Sequence, residues 1–120
     1  MSVTQFLHAS LLVTDLDAAQ TFYETVLGLK RTDRNLSFAG QWYQIGSIQL
    51  HLIVAPKRIE DRVNEKKWGR NRHLAFAVED LEAIEQRLQT LDYSFQVSSS
   101  GRAALFVPDP DGNLIELAQA

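Results

Sequence analysis

Apolar and polar positions alternate along this chain in two runs of the same order. Residues 6–13 are an apolar stretch with no turn residue inside it, which predicts a strand ended by Thr14-Asp15. Thr14-x-x-Asp17 resembles a helix N-terminal capping box, with Asp in place of the usual Glu. Apolar Leu16, Ala19, Phe22, Tyr23, Val26 and Leu27 follow at helical spacing, and Gly28 stands where a left-handed residue stops such a helix. Short strands or strand pieces are predicted over 29–32, 36–39, 42–45 and 48–54, punctuated by Gly40-Gln41 and Gly46-Ser47. The first run therefore reads as strand, helix, then about three strands.

The second run repeats that order. Residues 73–78 predict a strand, and Asp80 caps a helix with a one-sided stripe of Leu81, Ile84, Leu88 and Leu91 that is expected to be core. Strands are predicted over 93–97, 103–107 and 113–118. The Pro-Asp-Pro-Asp-Gly stretch at 108–112 is a turn, because Pro110 presets one φ and Gly112 supplies a left-handed one. A shift of 65 residues lays one run on the other: His8 on His73, Asp15 on Asp80, Leu16 on Leu81, Ala18 on Ala83, and Leu50-His51-Leu52 on Ile115-Glu116-Leu117. Such a repeat has to be read before the fold is named. Two copies are too few for a solenoid, so one domain over 1–120 is expected, with a first module at about 5–54 and a second at about 73–118.

Between the modules, residues 55–72 break the pattern and carry +4 in a chain whose net charge is −3. The segment reads as a solvated connector with one helical turn, or as a basic rim that attracts an anionic substrate. The chain's own balance gives no reason to expect nucleic acid. There is no cysteine, which excludes disulfides, thiolate ligands and a thiol nucleophile. No signal peptide and no membrane span are expected, and a cytoplasmic location is the default.

The repeat also organises the chemistry. The three histidines are His8, His51 and His73, and each copy places one potential ligand near its start and one near its end, 43 residues apart: His8 with His51, and His73 with Glu116. Imidazole and carboxylate suit nickel, zinc, cobalt, iron and manganese alike. A lone strand histidine is usually a satisfied polar residue, and Glu116 alone would be placed in solvent; the matched intervals favour one shared metal site instead. Alternation puts Phe6, Ser10 and Leu12 with His8, Gln49 and Ile53 with His51, Ala75 and Ala77 with His73, and Leu114 and Ala118 with Glu116. The small residues among them would leave the hollow that an open metal site needs, and Ser10 and Gln49 would orient ligands or substrate. Trp42 and Tyr43 are adjacent, so one faces inward and one outward; either is a core or a pocket residue. Arg102 would hold a substrate carboxylate bidentately or face water, and the stretch before it, 97–101, would form a mobile lip.

These residues resemble the vicinal oxygen chelate superfamily, which includes glyoxalase I, fosfomycin-resistance proteins, bleomycin-resistance proteins and extradiol dioxygenases. The resemblance runs over essentially the whole chain: LHASLLVTDLDAAQTFYETVLGLK, GSIQLHLI, RHLAFAVEDLEAIEQRL and, most specifically, LFVPDPDGNLIEL. It implies an α+β fold of two βαβββ modules whose mixed sheets form a cup, with a divalent metal held by His8, His51, His73 and Glu116. Gln49 is the alternative to His51 at that place, and the 43-residue symmetry favours His51. Glyoxalase I carries Glu or Gln where His51 stands, whereas fosfomycin enzymes and extradiol dioxygenases use two His and one Glu. The shared chemistry is chelation of two neighbouring substrate oxygens by a Lewis-acidic metal that stabilises an oxyanion or enediolate. The resemblance therefore implies a lyase or isomerase of the glyoxalase type acting on a small molecule, with Glu116 as base, in a homodimer. The alternatives are a metal-free, bleomycin-resistance-type protein that sequesters a ligand, and an iron dioxygenase, for which a fourth ligand at His51 would crowd the oxygen position.

Overall fold

A computed structural model describes residues 1–35 and 37–120, and divides the chain into two units, residues 1–58 and 59–120. In the first unit β1 (His8–Val13) leads into α1 (Leu16–Gln20), which widens into a π-helical turn (Thr21–Val26). Strands β2 (Lys30–Thr32), β3 (Gly40–Ile45) and β4 (Ile48–Val54) follow. The sheet order is β1-β4-β3-β2, with β1 parallel to β4 and the other pairs antiparallel. The second unit has β5 (Leu74–Val78), α2 (Leu81–Thr90), β6 (Gln96–Val97), β7 (Ala104–Pro108) and β8 (Leu114–Gln119). Its order, β5-β8-β7-β6, is the same, with β5 parallel to β8. In each unit the helix supplies the crossover that a parallel pair requires. The two βαβββ modules read from the sequence are therefore the architecture of the chain.

The repeat extends to register. Ser10 lies opposite His51, and Ala75 opposite Glu116, the same pairing carried forward by 65 residues. Because side chains alternate across a strand, each sheet presents one face to its helix and the other away from it. On the helix face of the first unit Val13, Tyr43, Leu50 and Leu52 are buried, together with Ala19, Phe22, Tyr23 and Val26. The π turn closes with Leu27 N–H donating to the Phe22 carbonyl at 3.0 Å, and this wider turn lets the neighbours Phe22 and Tyr23 both be fully buried. In the second unit Leu105, Val107, Ile115 and Leu117 are buried along with Ile84 and Leu88.

Several local expectations are corrected. The cap of α1 is Asp15, not Thr14: Asp15 is extended and its Oδ1 accepts from Ala18 N–H at 3.1 Å, because β1 runs straight to Val13 and the helix begins one residue later. Asp80 caps α2 as expected, accepting from Ala83 N–H at 3.0 Å. Leu91 does not join the core; it caps the end of α2 and is 48% exposed, since Asp92 at φ 61° turns the chain away. For the strand expected over 36–39, Leu36 lies outside the described residues and 37–39 form a bend. The strand expected over 93–97 shortens to Gln96–Val97.

The connector is also more than a solvated link. Residues 59–72 belong to the second unit and contain a 3-10 turn (Trp68–Arg70). The buried Asn71 side chain organises the loop: its Oδ1 accepts from the backbone N–H groups of Val63 and Asn64, and its Nδ2 donates to the carbonyls of Asn64 and Trp68 at 2.8 and 3.0 Å. Gln96 ties the loop to the sheet, accepting from Trp68 N–H and donating to the Lys66 carbonyl, both at 2.9 Å. Among the described residues no helix is long and apolar enough to cross a membrane.

Candidate functional site

The face of each sheet that turns away from its helix carries the candidate chemistry. In the second unit this face holds His73, just ahead of β5, and Ala75, Ala77, Ala104, Phe106, Glu116 and Ala118. Glu116 is 7% exposed and needs partners to be tolerated there. It has two: Oε1 lies 3.0 Å from His73 Nε2, and Oε2 accepts from Arg102 Nη2 at 2.9 Å. His73 Nδ1 lies 2.7 Å from the Asn71 carbonyl oxygen, which only accepts, so Nδ1 carries hydrogen and donates. In the neutral ring the lone pair is then on Nε2, facing a carboxylate oxygen. Two lone pairs cannot bond each other, so the contact needs a proton shared between the two groups or a cation held by both. Metal-binding histidines are held this way, with the far nitrogen donating to a carbonyl. His73 and Phe106 also meet in a T-shaped contact, with centroids 5.6 Å apart and planes at 87°.

In the first unit the corresponding face carries His8, Ser10, Trp42, Gln44, Gln49 and His51. His51 is sandwiched. Its ring stacks on His8 at 4.0 Å and 16°, and on Trp42 at 4.1 Å and 7°. Burial lowers the His51 pKa from its ordinary value, and His8 and then Arg34 add repulsion of a positive charge. His51 Nε2 is 2.8 Å from Gln49 Oε1. Of the two aromatic neighbours, Trp42 faces the candidate site, directly opposite His51. Tyr43 does not. It is fully buried on the helix face and donates to Glu24 Oε2 at 2.8 Å, so its role is in the core.

The four candidate ligands thus fall as two pairs, one within each unit, and among the described residues no three His, Asp or Glu side chains are grouped as a metal would need. The donor types fit a divalent transition metal, and His73 Nε2 and Glu116 Oε1 lie 3.0 Å apart. At His8–His51 the near-parallel rings send their in-plane lone pairs side by side, so one ring must turn for both to meet one ion. Arg102 is committed to Glu116, and Ser10 lies opposite His51 on the same face. Sequence reading missed Asn71, Phe106 and Gln44. The signal for Asn71 was its place two residues before His73, within reach of that ring's inner nitrogen.

Comparison with known proteins agrees with this architecture. A sequence profile of the Glyoxalase/Bleomycin resistance protein/Dioxygenase superfamily matches residues 5–117. The uncharacterized protein YqjC of Bacillus subtilis (strain 168) is 29% identical over 93% of this chain and 89% of its own length. The fosfomycin resistance protein FosX of Mesorhizobium loti has the same fold at TM-score 0.75 and 18% identity, covering 98% of this chain and 92% of that one. A lactoylglutathione lyase of Agrobacterium tumefaciens matches at TM-score 0.67 and 20% identity, covering 100% and 96%.

Proposed function

We propose, from the premise that this chain belongs to the Glyoxalase/Bleomycin resistance protein/Dioxygenase superfamily, that it is a metal-dependent enzyme of the glyoxalase type acting on a small oxygen-rich molecule. Fold likeness at low identity does not choose a reaction, so the reading rests on the site. The observation that carries it is the His73–Glu116 contact, in which a ring already donating to the Asn71 carbonyl turns its other nitrogen to a carboxylate. The proposed ligands are His8, His51, His73 and Glu116. A bound divalent metal would act as a Lewis acid toward two neighbouring oxygens of the substrate.

The remaining work falls to the chain's own side chains. Glu116 is the proposed base: once its Oε1 is released from the contact at His73, that oxygen would take a proton from the carbon next to a carbonyl and return it to the neighbouring position, so the reaction is redox-neutral overall. Arg102 holds Oε2, so Oε1, the oxygen beside His73 Nε2, is the proposed accepting atom. Asn71 and Phe106 hold the His73 ring, and Gln49 holds His51. Ser10 and Trp42 are the proposed substrate contacts in the first unit, on the same face as His51.

The test is elemental mass spectrometry on untagged protein purified without chelator, beside His51→Ala and Glu116→Gln. About one transition metal per chain, reduced in both variants, is expected, and Glu116→Gln should also abolish turnover. One specific observation favours a second reading: the stack of His8, His51 and Trp42 is an aromatic wall rather than a chelating pair. Protein that neither holds nor takes up metal, and that melts higher with an added planar ligand, would establish a ligand-sequestering role instead.

A further inference from the structure

The contact between Gln49 and His51 is the end of a longer chain of hydrogen bonds whose direction can be worked out. Gln44 Nε2 donates to the carbonyl oxygens of Gly46 at 2.9 Å and Ile48 at 3.2 Å. Carbonyls only accept, so this end of the Gln44 amide is its NH2 and the other end is its oxygen. Gln49 Nε2 donates to that oxygen at 3.0 Å. The remaining end of the Gln49 amide is therefore Oε1, an acceptor, and it faces His51 Nε2 at 2.8 Å. His51 Nε2 must then carry hydrogen, and in the neutral ring the lone pair lies on Nδ1. Two backbone carbonyls, one in the β3–β4 turn and one at the start of β4, thus dictate, through two glutamines, which nitrogen of His51 is free.

We infer that Gln44 and Gln49 are positioning residues that lock His51 as the Nε2–H tautomer, so that it offers a ligand its Nδ1. The inference rests on the proposal that His51 binds metal. His73 is held the opposite way: its Nδ1–H is tied to the Asn71 carbonyl and its Nε2 faces Glu116 Oε1. The repeat has conserved the principle of a tethered ligand between its halves and reversed the nitrogen. The parallel Trp42 ring holds the plane of His51, while the relay decides which nitrogen is the donor.

The experiment is long-range proton–nitrogen correlation NMR on the full chain with 15N-labelled histidine, first metal-free and then titrated with zinc alone. Metal-free wild type should show His51 protonated at Nε2 only, and zinc should then move its Nδ1 signal. Gln49→Leu and Gln44→Leu should give mixed tautomers. Gln49→Leu should also weaken zinc binding by roughly ten- to a hundred-fold. Gln49→Glu, whose carboxylate still accepts from Nε2–H, should restore the single tautomer, and it covers the case in which Gln49→Leu fails to fold. A wild-type Nδ1–H tautomer, or an unchanged tautomer in both Leu variants, overturns the relay. Zinc moving Nε2 overturns the Nδ1 assignment alone. Zinc moving neither nitrogen of a correctly locked His51 overturns its role as a ligand, and the Nδ1 assignment with it.

Discussion

Gly69 offers a test in which two physical effects have opposite signs. It lies in the 3-10 turn Trp68–Arg70, and backbone considerations alone favour alanine there: loss of unfolded-chain entropy should stabilise by about 0.4–1 kcal/mol. Packing opposes this. A Cβ at Gly69 would stand 2.6 Å from Phe106 Cζ, 3.1 Å from Cε1 and 3.2 Å from Cε2. The ring must retreat by about 0.8 Å to reach the near edge of ordinary contact at 3.4 Å. Phe106 is only 7% exposed and has little room, so overpacking should cost about 1–3 kcal/mol and win. The mid-range net cost is about 1.3 kcal/mol, so Gly69→Ala should lower Tm by roughly 4–7 °C. The displaced ring also makes the T-shaped contact with His73, so the metal affinity proposed for His73 and Glu116 should fall with stability. Thermal unfolding of Gly69→Ala, Phe106→Leu and the double variant forms a cycle, and the double variant should be more stable than the sum of the singles by about 1–3 kcal/mol. An unchanged or raised Tm in Gly69→Ala, or strict additivity in the cycle, refutes the contact between loop and ring.

Other consequences follow from the same packing. Burial, then the hydrogen bond to Glu24, holds the Tyr43 hydroxyl well above its ordinary pKa of 10, so above pH 10 the unfolded chain loses this proton while the folded chain keeps it. Tyr43 thus makes stability fall as pH rises through that range, and urea titrations should show the disadvantage of Tyr43→Phe at pH 9 shrinking by about 1 kcal/mol at pH 11; a constant gap would refute this. Asn71→Ala removes a side chain that satisfies four backbone groups and should cost more than about 3 kcal/mol, with limited proteolysis cutting within 59–72; resistance equal to wild type would make the loop self-supporting. Asp80→Ala removes the cap on Ala83 N–H and should cost about 1 kcal/mol by chemical denaturation, while Asp80→Asn should cost a few tenths.

The parts of the fold that depend on periodicity were legible in the sequence. The β1, β4 and β8 strands, the Asp80 cap and the repeat follow from local patterns that water and backbone geometry enforce. Alternation also placed Trp42 and Tyr43 on opposite faces without saying which faced the site. The missing step was the turn: Gly46-Ser47 is a two-residue connection pairing Ile45 with Ile48, and counting back from it sets Trp42 opposite His51. The loop at 59–72 was illegible for a different reason. Its charges signal solvent, while its order comes from Asn71 and Gln96 saturating backbone groups, and such bonds have no period.

What the repeat preserved and what it changed point to a division of labour. Both units keep the strand order and the register that sets His51 or Glu116 opposite a small residue, Ser10 or Ala75. Register is costly to change, because a one-residue slip would send every buried side chain of a strand to the other face. Side chains on the face away from the helix are free of that constraint and have diverged. The first unit filled its face with rings, His8, His51 and Trp42, and with amides that fix a tautomer. The second kept alanine at 75, 77, 104 and 118, and placed one carboxylate there between a histidine and an arginine. A carboxylate held between a histidine and an arginine suits proton transfer, and a stacked aromatic wall suits holding a flat ligand. Substitutions at Trp42 should therefore move KM more than kcat, and Glu116→Gln should move kcat more than KM. Steady-state kinetics on any substrate that is found will separate the two, and the reverse pattern would overturn the division.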